Sequence, residues 1–326
     1  MTEPEGAPLM TGTEQDIASE MWAIRLHEAG GPAALALERI RTPKPGAGET
    51  LVRVHAAAIT PDELGWPTDR LPATPSYELS GEVAAVGADV DTPAVGDPVW
   101  ALADFDRDGA AAEYVVVRSA ILAPKPTTLG HEESAAVPLS GLSAWQGLFD
   151  HGALEGGQRV LIHGAAGGVG HLATQLARRR GAYVIGTASP SSIDLARGFG
   201  ADEVLDATNG RFEDSLEPVD VVFDTVGGDL LQRSLAVIRP GGRLVSVAGE
   251  PPEVGPERNI ETTYFVVEPR RDQLVQLTAI VDAGELRPAI DSVFPLSDAR
   301  AAFERSLASG KCGKVILRVV GGVPDE

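Results

Sequence analysis

Val160-Leu161-Ile162-His163-Gly164-Ala165-Ala166-Gly167-Gly168-Val169-Gly170 is the stretch that decides the fold. The first four residues are an apolar run suited to a buried strand. A glycine-rich turn follows, and residues 169–180 have the composition and one-sided apolar pattern of a helix. Such a turn is a place for an anion, because unpaired backbone N–H groups and the positive end of the helix dipole both point into it. A side chain at Gly167 or Gly168 would obstruct a pyrophosphate. In the dinucleotide frame G-x-G-x-x-G the positions are Ala165, Gly167 and Gly170, with alanine where the first glycine is expected.

Downstream, strands are expected at 183–187, 203–205, 220–225, 243–248 and 264–267, with helices at 193–199, 229–238 and 270–282. This alternation predicts crossover connections and a parallel sheet covered on both faces, with nucleotide bound at the carboxyl ends of its strands. Upstream, short strands at 21–26, 35–39, 51–58, 80–86, 98–101 and 112–117 are punctuated by proline and glycine, the pattern of a twisted β-barrel. After Gly284 come a strand at 290–294, a helix at 297–309 with Ser297 as N-cap, and a strand at 314–319 that needs partners in the barrel. The expected fold is α/β: a barrel domain from 21–142 and 285–326, with a Rossmann-type doubly wound sheet, 143–284, inserted between. Residues 1–20, polar and acidic, are expected to be a mobile extension.

The 326 residues suffice for two cores, and a 43% hydrophobic, 23% charged composition is that of a globular protein. A net charge of -20 repels phosphate backbones and anionic membranes, so neither nucleic acid nor membrane is expected as a partner. Any dinucleotide must then be held by local donors. The single cysteine, Cys312, forms no disulfide within the chain and suits a reducing cytoplasm, the expected location. None of the six histidines has a metal-ligand spacing such as H-x-x-x-H. His163, beside the turn, has the best claim to a role.

Several motifs occur in a specific order: Ser-Tyr-Glu-Leu-Ser-Gly-Glu-Val (76–83), Val-Gly-Asp-Pro-Val (95–99), Gly-Leu-Ser-Ala-Trp (141–145), the turn itself, Gly-Ala-Asp-Glu-Val (200–204), Asp-Thr-Val-Gly-Gly (224–228) and Pro-Gly-Gly-Arg-Leu-Val-Ser (240–246). Over nearly all of 21–319 the chain resembles the medium-chain dehydrogenase/reductase superfamily, in its zinc-independent, quinone-oxidoreductase-like branch. The resemblance implies a GroES-like barrel as catalytic domain and hydride transfer from a reduced nicotinamide to a quinone or α,β-unsaturated carbonyl. Zinc-dependent relatives hold the metal with a cysteine in the first barrel loop and the histidine of a Gly-His-Glu run. Here those places read Ile59-Thr60-Pro61-Asp62 and Ser76-Tyr77-Glu78, so no zinc is expected.

The resemblance implies a nicotinamide-side loop contact at Thr60, where asparagine is common in the family. Tyr77 either donates its phenol to substrate or fills the space beneath the loop, and Asp62 is expected to be a turn residue. Cofactor contacts are expected from Gly164, Ala165, Ala166, Gly167, Gly168 and Val169 in the turn. The resemblance adds Ser143, Val226, Gly227, Ala248, Gly249, Phe265, Val266 and Val267. The second strand ends in Thr187 and Ser189 with no acid to bind ribose hydroxyls, so NADP(H) is expected in preference to NAD(H). A homodimer is expected, joined through edge strands. Two other readings stay open: a zinc-free alcohol dehydrogenase-like protein, and a non-catalytic NADP(H)-binding redox sensor.

Overall fold

Proline and glycine cut the first third of the chain into strands too short to bury a face alone, and they do so by pairing across long sequence distances. In the computed structural model, residues 17–66, 69–208, 211–214 and 216–323 are described. The first sixteen residues of the expected extension therefore lie outside the described residues, whereas Glu20 already belongs to a strand. Strands β1 (Glu20–Leu26) and β2 (Leu35–Arg41) form an antiparallel hairpin. They are followed by β3 (Glu49–Ile59), β4 (Glu78–Val86), β5 (Pro98–Leu102), β6 (Tyr114–Arg118) and β7 (Ala123–Pro124). β3 is the hub, pairing antiparallel with both β4 and β6. Its Ala56-Ala57-Ala58 run is fully buried, and Ala56 and Ala58 pack with Ala135 and Ala136 of the following helical segment. Small side chains let that segment come close.

Two helices, α1 (His131–Ala135) and α2 (Pro138–Trp145), carry the chain out of the barrel. Pro138 sits at the first position of α2, where its missing N–H costs nothing. The inserted region then runs β8 (Arg159–His163), α3 (Gly170–Arg179), β9 (Tyr183–Ala188), α4 (Ile193–Gly198), β10 (Glu203–Asp206), β11 (Val219–Asp224), α5 (Gly228–Arg233), β12 (Ile238–Ser246), β13 (Glu261–Tyr264) and α6 (Arg271–Asp282). Its sheet is parallel, in the order β10-β9-β8-β11-β12-β13. Strand order reverses between β8 and β11, which opens a crevice at their carboxyl ends.

The last strand of this sheet lies earlier than its composition suggests. β13 pairs with β12 from Arg243↔Glu261 to Ser246↔Tyr264. Residues 265–267, expected to complete a strand, therefore lie past the carboxyl end of the strand that the sheet contains. The chain returns through β14 (Ile290–Pro295), α7 (Ala299–Leu307) and β15 (Lys314–Arg318). α7 starts two residues later than expected, with Asp298 rather than Ser297 at the N-cap position, because Leu296–Asp298 is a tight turn of its own. β15 pairs parallel with β14 and antiparallel with β3, so strands from both ends of the chain share one sheet.

The turn after β8 leaves no room at Gly170, where an added Cβ would lie 2.0 Å from the Gly164 carbonyl oxygen. Gly198, near the end of α4, has nothing within 4 Å of such a Cβ. Gly170→Ala should destabilise the protein by about 1–3 kcal/mol, whereas Gly198→Ala should stabilise it by about 0.5–1 kcal/mol. Urea denaturation of the two variants checks both signs.

Candidate active site

The glycine missing from the first position of the turn stands in the neighbouring strand. Ala165 is fully buried, and a Cβ added at Gly186 of β9 would lie 2.6 Å from the Ala165 methyl. Gly186 thus makes the space that Ala165 fills, and the turn keeps its shape. Gly164 has φ +73°, and a Cβ there would meet Thr225 Oγ1 and Val226 Cγ2 at 2.9 Å. The turn closes by Gly167 N–H donating to the Gly164 carbonyl at 2.8 Å. Ala166, Gly167, Gly168 and Val169 lead directly into α3, whose first-turn N–H groups are partly spent on the turn itself: His171 donates to the Gly167 carbonyl at 3.1 Å and Leu172 to that of Val169 at 3.2 Å.

Beneath the turn runs a wire of neutral groups. Ser234 Oγ donates to the Leu230 carbonyl at 2.7 Å, so it accepts from His163 Nε2 at 2.8 Å. His163 Nδ1 then accepts from the Thr187 hydroxyl at 3.1 Å, and that hydroxyl accepts the Gly164 N–H at 3.2 Å. Burial pushes His163 down to about 4, against the pull of Asp224, which agrees with a neutral ring. Thr187 is expected among the cofactor contacts at the end of the second strand. The structure places it inside, without exposed surface, because its hydroxyl supports the turn. Ser189, one turn further, is half-exposed, and its hydroxyl lies 3.2 Å from Ser191 Oγ and 3.1 Å from Ser192 Oγ. Arg197 is exposed and paired with Asp194 at 3.1 Å.

A second polar device shapes the ends of β11 and β12. The buried Asp224 carboxylate accepts N–H groups of Val226 at 3.3 Å and Gly227 at 3.1 Å, and the Ser246 hydroxyl at 2.8 Å. Ser246 Oγ in turn accepts from Ala248 at 3.1 Å and Gly249 at 3.3 Å. Val226 and Ala248 are thereby fixed with their side chains exposed. Past β13, Phe265 and Val267 are buried and Val266 is exposed. The Gln146 amide, unread in the sequence, pins this segment by donating to the Glu268 carbonyl at 2.9 Å and accepting its N–H at 3.0 Å. Ser143 lies one turn before it, buried in α2.

The barrel side contributes residues that only tertiary pairing reveals. Lys314 begins β15 beside Thr60 at the end of β3, and its ammonium donates to Thr60 Oγ1 at 3.3 Å. The same ammonium is ion-paired with Glu78 Oε1, while Glu78 Oε2 accepts the Leu139 N–H at 2.9 Å in the first turn of α2. The Lys314 stem lies against the glycine turn, since a Cβ at Gly168 would be 3.2 Å from Lys314 Cδ. The adjoining backbone is stitched to the turn: Gly313 N–H donates to the Ala166 carbonyl at 3.2 Å, and Ala289 N–H donates to His171 Nε2 at 3.0 Å. His171 Nδ1 donates back to the Gly167 carbonyl at 2.8 Å, and burial pushes this ring also down to about 4.

Tyr77 lies under the loop. Its ring has no exposed surface, packs at 5.6 Å from Trp66 and 5.3 Å from Phe105, and its hydroxyl accepts from Arg70 at 2.8 Å. Asp62 is exposed and bonded within its own turn to Trp66 Nε1 at 3.4 Å. Its neighbour Glu63 is enclosed: burial pushes its carboxyl up to about 8, Glu78 adds to the rise, and Lys314 opposes it.

These geometries test two groups that such a fold can carry. A dinucleotide fits: the turn has no side chain at Gly167 and Gly168, it runs directly into the N-terminal end of α3, and the Lys314 stem lies against it. A zinc ion does not fit the Thr60, Tyr77 and Glu78 positions. The Tyr77 hydroxyl is turned to Arg70, both Glu78 oxygens are engaged, and an ammonium already stands at Thr60. Elsewhere among the described residues, His55, Glu82 and His131 offer ligand atoms within 4.8 Å of one another. The two imidazoles are stacked at 4.0 Å and 28°, and a His131 ring nitrogen is already hydrogen-bonded to Ser80 Oγ at 2.9 Å.

Comparison with known proteins agrees with this architecture. The alcohol dehydrogenase GroES-like domain model matches residues 46–127 and the zinc-binding dehydrogenase model matches residues 199–317. A 2-methylene-furan-3-one reductase of Solanum lycopersicum is 33% identical, covering 94% of this chain and 82% of its own. The quinone oxidoreductase of Mus musculus is 31% identical over 91% of this chain and 97% of its own. The solved quinone oxidoreductase of Coxiella burnetii superposes with a TM-score of 0.85 at 31% identity, over 92% of this chain and 99% of that one. Among the described residues no helix is long and apolar enough to cross a membrane.

The buried groups set opposing pH slopes. His163 and His171, held neutral down to about 4, cost stability as pH falls below about 6.5, where the unfolded chain takes up protons. Glu63 has the opposite sign. The unfolded carboxyl ionises above its ordinary 4.5 while the folded one keeps its proton to about 8, so stability is full below 4.5 and is lost as pH rises to about 8. The loss over that window is on the order of 5 kcal/mol at about 1.4 kcal/mol per pH unit. Glu63→Gln should abolish it, making the variant the more stable protein at pH 8.5 in urea denaturation. Parallel pH profiles for the two proteins would contradict the assignment.

Proposed function

Because the chain belongs to the medium-chain dehydrogenase/reductase superfamily, in its quinone-oxidoreductase-like branch, and is an NAD(P)H-dependent oxidoreductase, we propose that it reduces quinones or α,β-unsaturated carbonyls with NADPH and without a metal. The observation that carries this reading is Lys314, whose ammonium is bonded to Thr60 Oγ1 and whose stem lies against the glycine turn. It sets a fixed positive charge where charge develops on a reduced carbonyl oxygen. A conjugated acceptor needs no stronger Lewis acid, since conjugation already spreads that charge.

When bound, the reduced nicotinamide supplies the hydride. The chain's own residues do the rest. The turn 164–169 and the first turn of α3 hold the diphosphate, and Val226, Ala248 and Val266 offer an apolar wall that keeps water from the reacting carbon. The Thr60 hydroxyl, polarised by Lys314, donates to the substrate oxygen. Arg70 and Tyr77 brace the loop that carries Thr60, which gives Tyr77 a positioning role. Two subunits join across β13, the edge strand of the parallel sheet.

The preference for NADPH is supported just past β9, where three serine hydroxyls gather. Arg197 is free to exchange its exposed i,i+3 pair with Asp194 for a phosphate, because such pairs are worth only about 0.2–0.5 kcal/mol. NADPH should bind at least about tenfold more tightly than NADH, a difference of about 1.4 kcal/mol. Ser189→Asp should reverse the preference by placing a carboxylate where the 2′-phosphate sits. Fluorescence titration with both coenzymes, followed by an enone and quinone screen in the presence of chelator, tests the reading. Equal affinity, or oxidation of alcohols that stops on chelation, would contradict it.

A further inference from the structure

Away from the cleft, three side chains gather on the barrel. His55 stands in β3 between Val54, which pairs with Gly81, and Ala56, which pairs with Ser80, so it is the extra residue of a β-bulge. A bulge takes its residue out of the ladder and re-aims the side chain. The His55 imidazole shares a corner with Glu82 of β4 and His131, the first residue of α1, and one ligand atom from each lies within 4.8 Å of the others. His55 Nε2 is shut off from water, makes no hydrogen bond, and lies 3.7 Å from Glu82 Oε2. Two donors held by a tetrahedral zinc ion at about 2.0–2.1 Å are about 3.4 Å apart, so this pair is close to that spacing. His131 is stacked on His55 at 4.0 Å, with Nδ1 bonded to the Ser80 hydroxyl at 2.9 Å. That is the outer contact a metal-ligating histidine makes: with Nδ1–H donating to Ser80, Nε2 carries the lone pair. Burial pushes both rings down, His131 to about 4, so they are neutral at pH 7.

We propose that His55, Glu82 and His131 form a binding site for a divalent transition-metal ion, zinc foremost, with water as the remaining ligand. Two imidazoles and a carboxylate are a donor set for zinc rather than for magnesium or calcium, which take oxygen. Closing the three donors from at most 4.8 Å to tetrahedral spacing takes a shift of no more than about 1.4 Å. Side-chain torsions supply it, and the half-exposed Glu82 is the freest to move. The net charge of -20, which opposes a phosphate, favours a cation. Measured along the strand at about 3.3 Å per residue, His55 lies roughly 15 Å from Thr60, so an ion here stands apart from the reacting groups. Its role is structural. It ties β3 and β4 to α1, where the chain starts its passage from the barrel to the inserted sheet.

The untagged full-length chain, stripped with chelator and then dialysed against zinc chloride, should take up a single zinc ion, and Cys312→Ser should take it up equally. X-ray absorption at the zinc edge should show nitrogen and oxygen neighbours at about 2.0–2.1 Å and no sulfur. His55→Gln and His131→Gln should each weaken binding at least about 100-fold, and Ser80→Ala about 10- to 100-fold. Circular dichroism of the metal-free variants, matching that of wild type, shows that they are folded. Glu82→Gln, at a half-exposed position where folding is not at stake, should weaken binding as well. Zinc should raise the urea midpoint of wild type and leave that of His55→Gln where it was. A wild type that takes up no more zinc than the double variant His55→Gln/His131→Gln would overturn the inference. So would zinc binding that survives the loss of either histidine, or sulfur at the bound metal.

Discussion

The buried pair between Lys314 and Glu78 is the contact on which the rest of the site depends. Taking an ammonium and a carboxylate out of water costs several kcal/mol for each ion, and their attraction repays that only when other hydrogen bonds complete the arrangement. Here they do. Glu78 also accepts an N–H from the first turn of α2, and Lys314 also donates to Thr60. Strand β4, strand β15, the loop that carries Thr60 and the helix leaving the barrel therefore meet at one point. The Lys314 stem lies on the glycine turn, so the same point touches the nucleotide domain. Either charge alone would be stranded.

Around that pair the chain achieves polarity without net charge. Its overall charge of -20 opposes any phosphate ligand, and the residues nearest the turn avoid adding to it. His163 and His171 are neutral, each with both ring nitrogens engaged, so their orientation is set by neighbours. Asp224 directs its charge onto N–H groups of its own turn and onto Ser246. What remains exposed around the turn are hydroxyls and apolar side chains such as those of Val226 and Ala248. A site built this way attracts an anion through local dipoles whose reach is short.

The features legible in the sequence were those with a short-range cause. The turn after β8, the parallel alternation and the participation of the last strand in the barrel all follow from glycine placement and apolar periodicity. Ala165 departs from the glycine frame, and Gly186, a residue of the next strand, accommodates it. Other features need the fold. Lys314 and Thr60 are far apart in the chain and meet only because β15 pairs with β3. Glu63 differs from exposed Asp62 by a single position in a tight turn, a distinction no composition conveys. Thr187 lies at the right strand end but points inward, and β13 is shifted by its register with β12, which local propensity does not determine.

Lys314 and Glu78 act as one unit joining the glycine turn to the loop that carries Thr60. A double-mutant cycle with Lys314→Met and Glu78→Gln, read as urea stability and as NADPH affinity, tests it most directly. Each single change should cost about 3–5 kcal/mol of stability and the double change much less than their sum. Both singles should weaken NADPH binding, although Glu78 lies on the barrel side. Additive stability losses, with NADPH affinity unaltered by Glu78→Gln, would contradict the account.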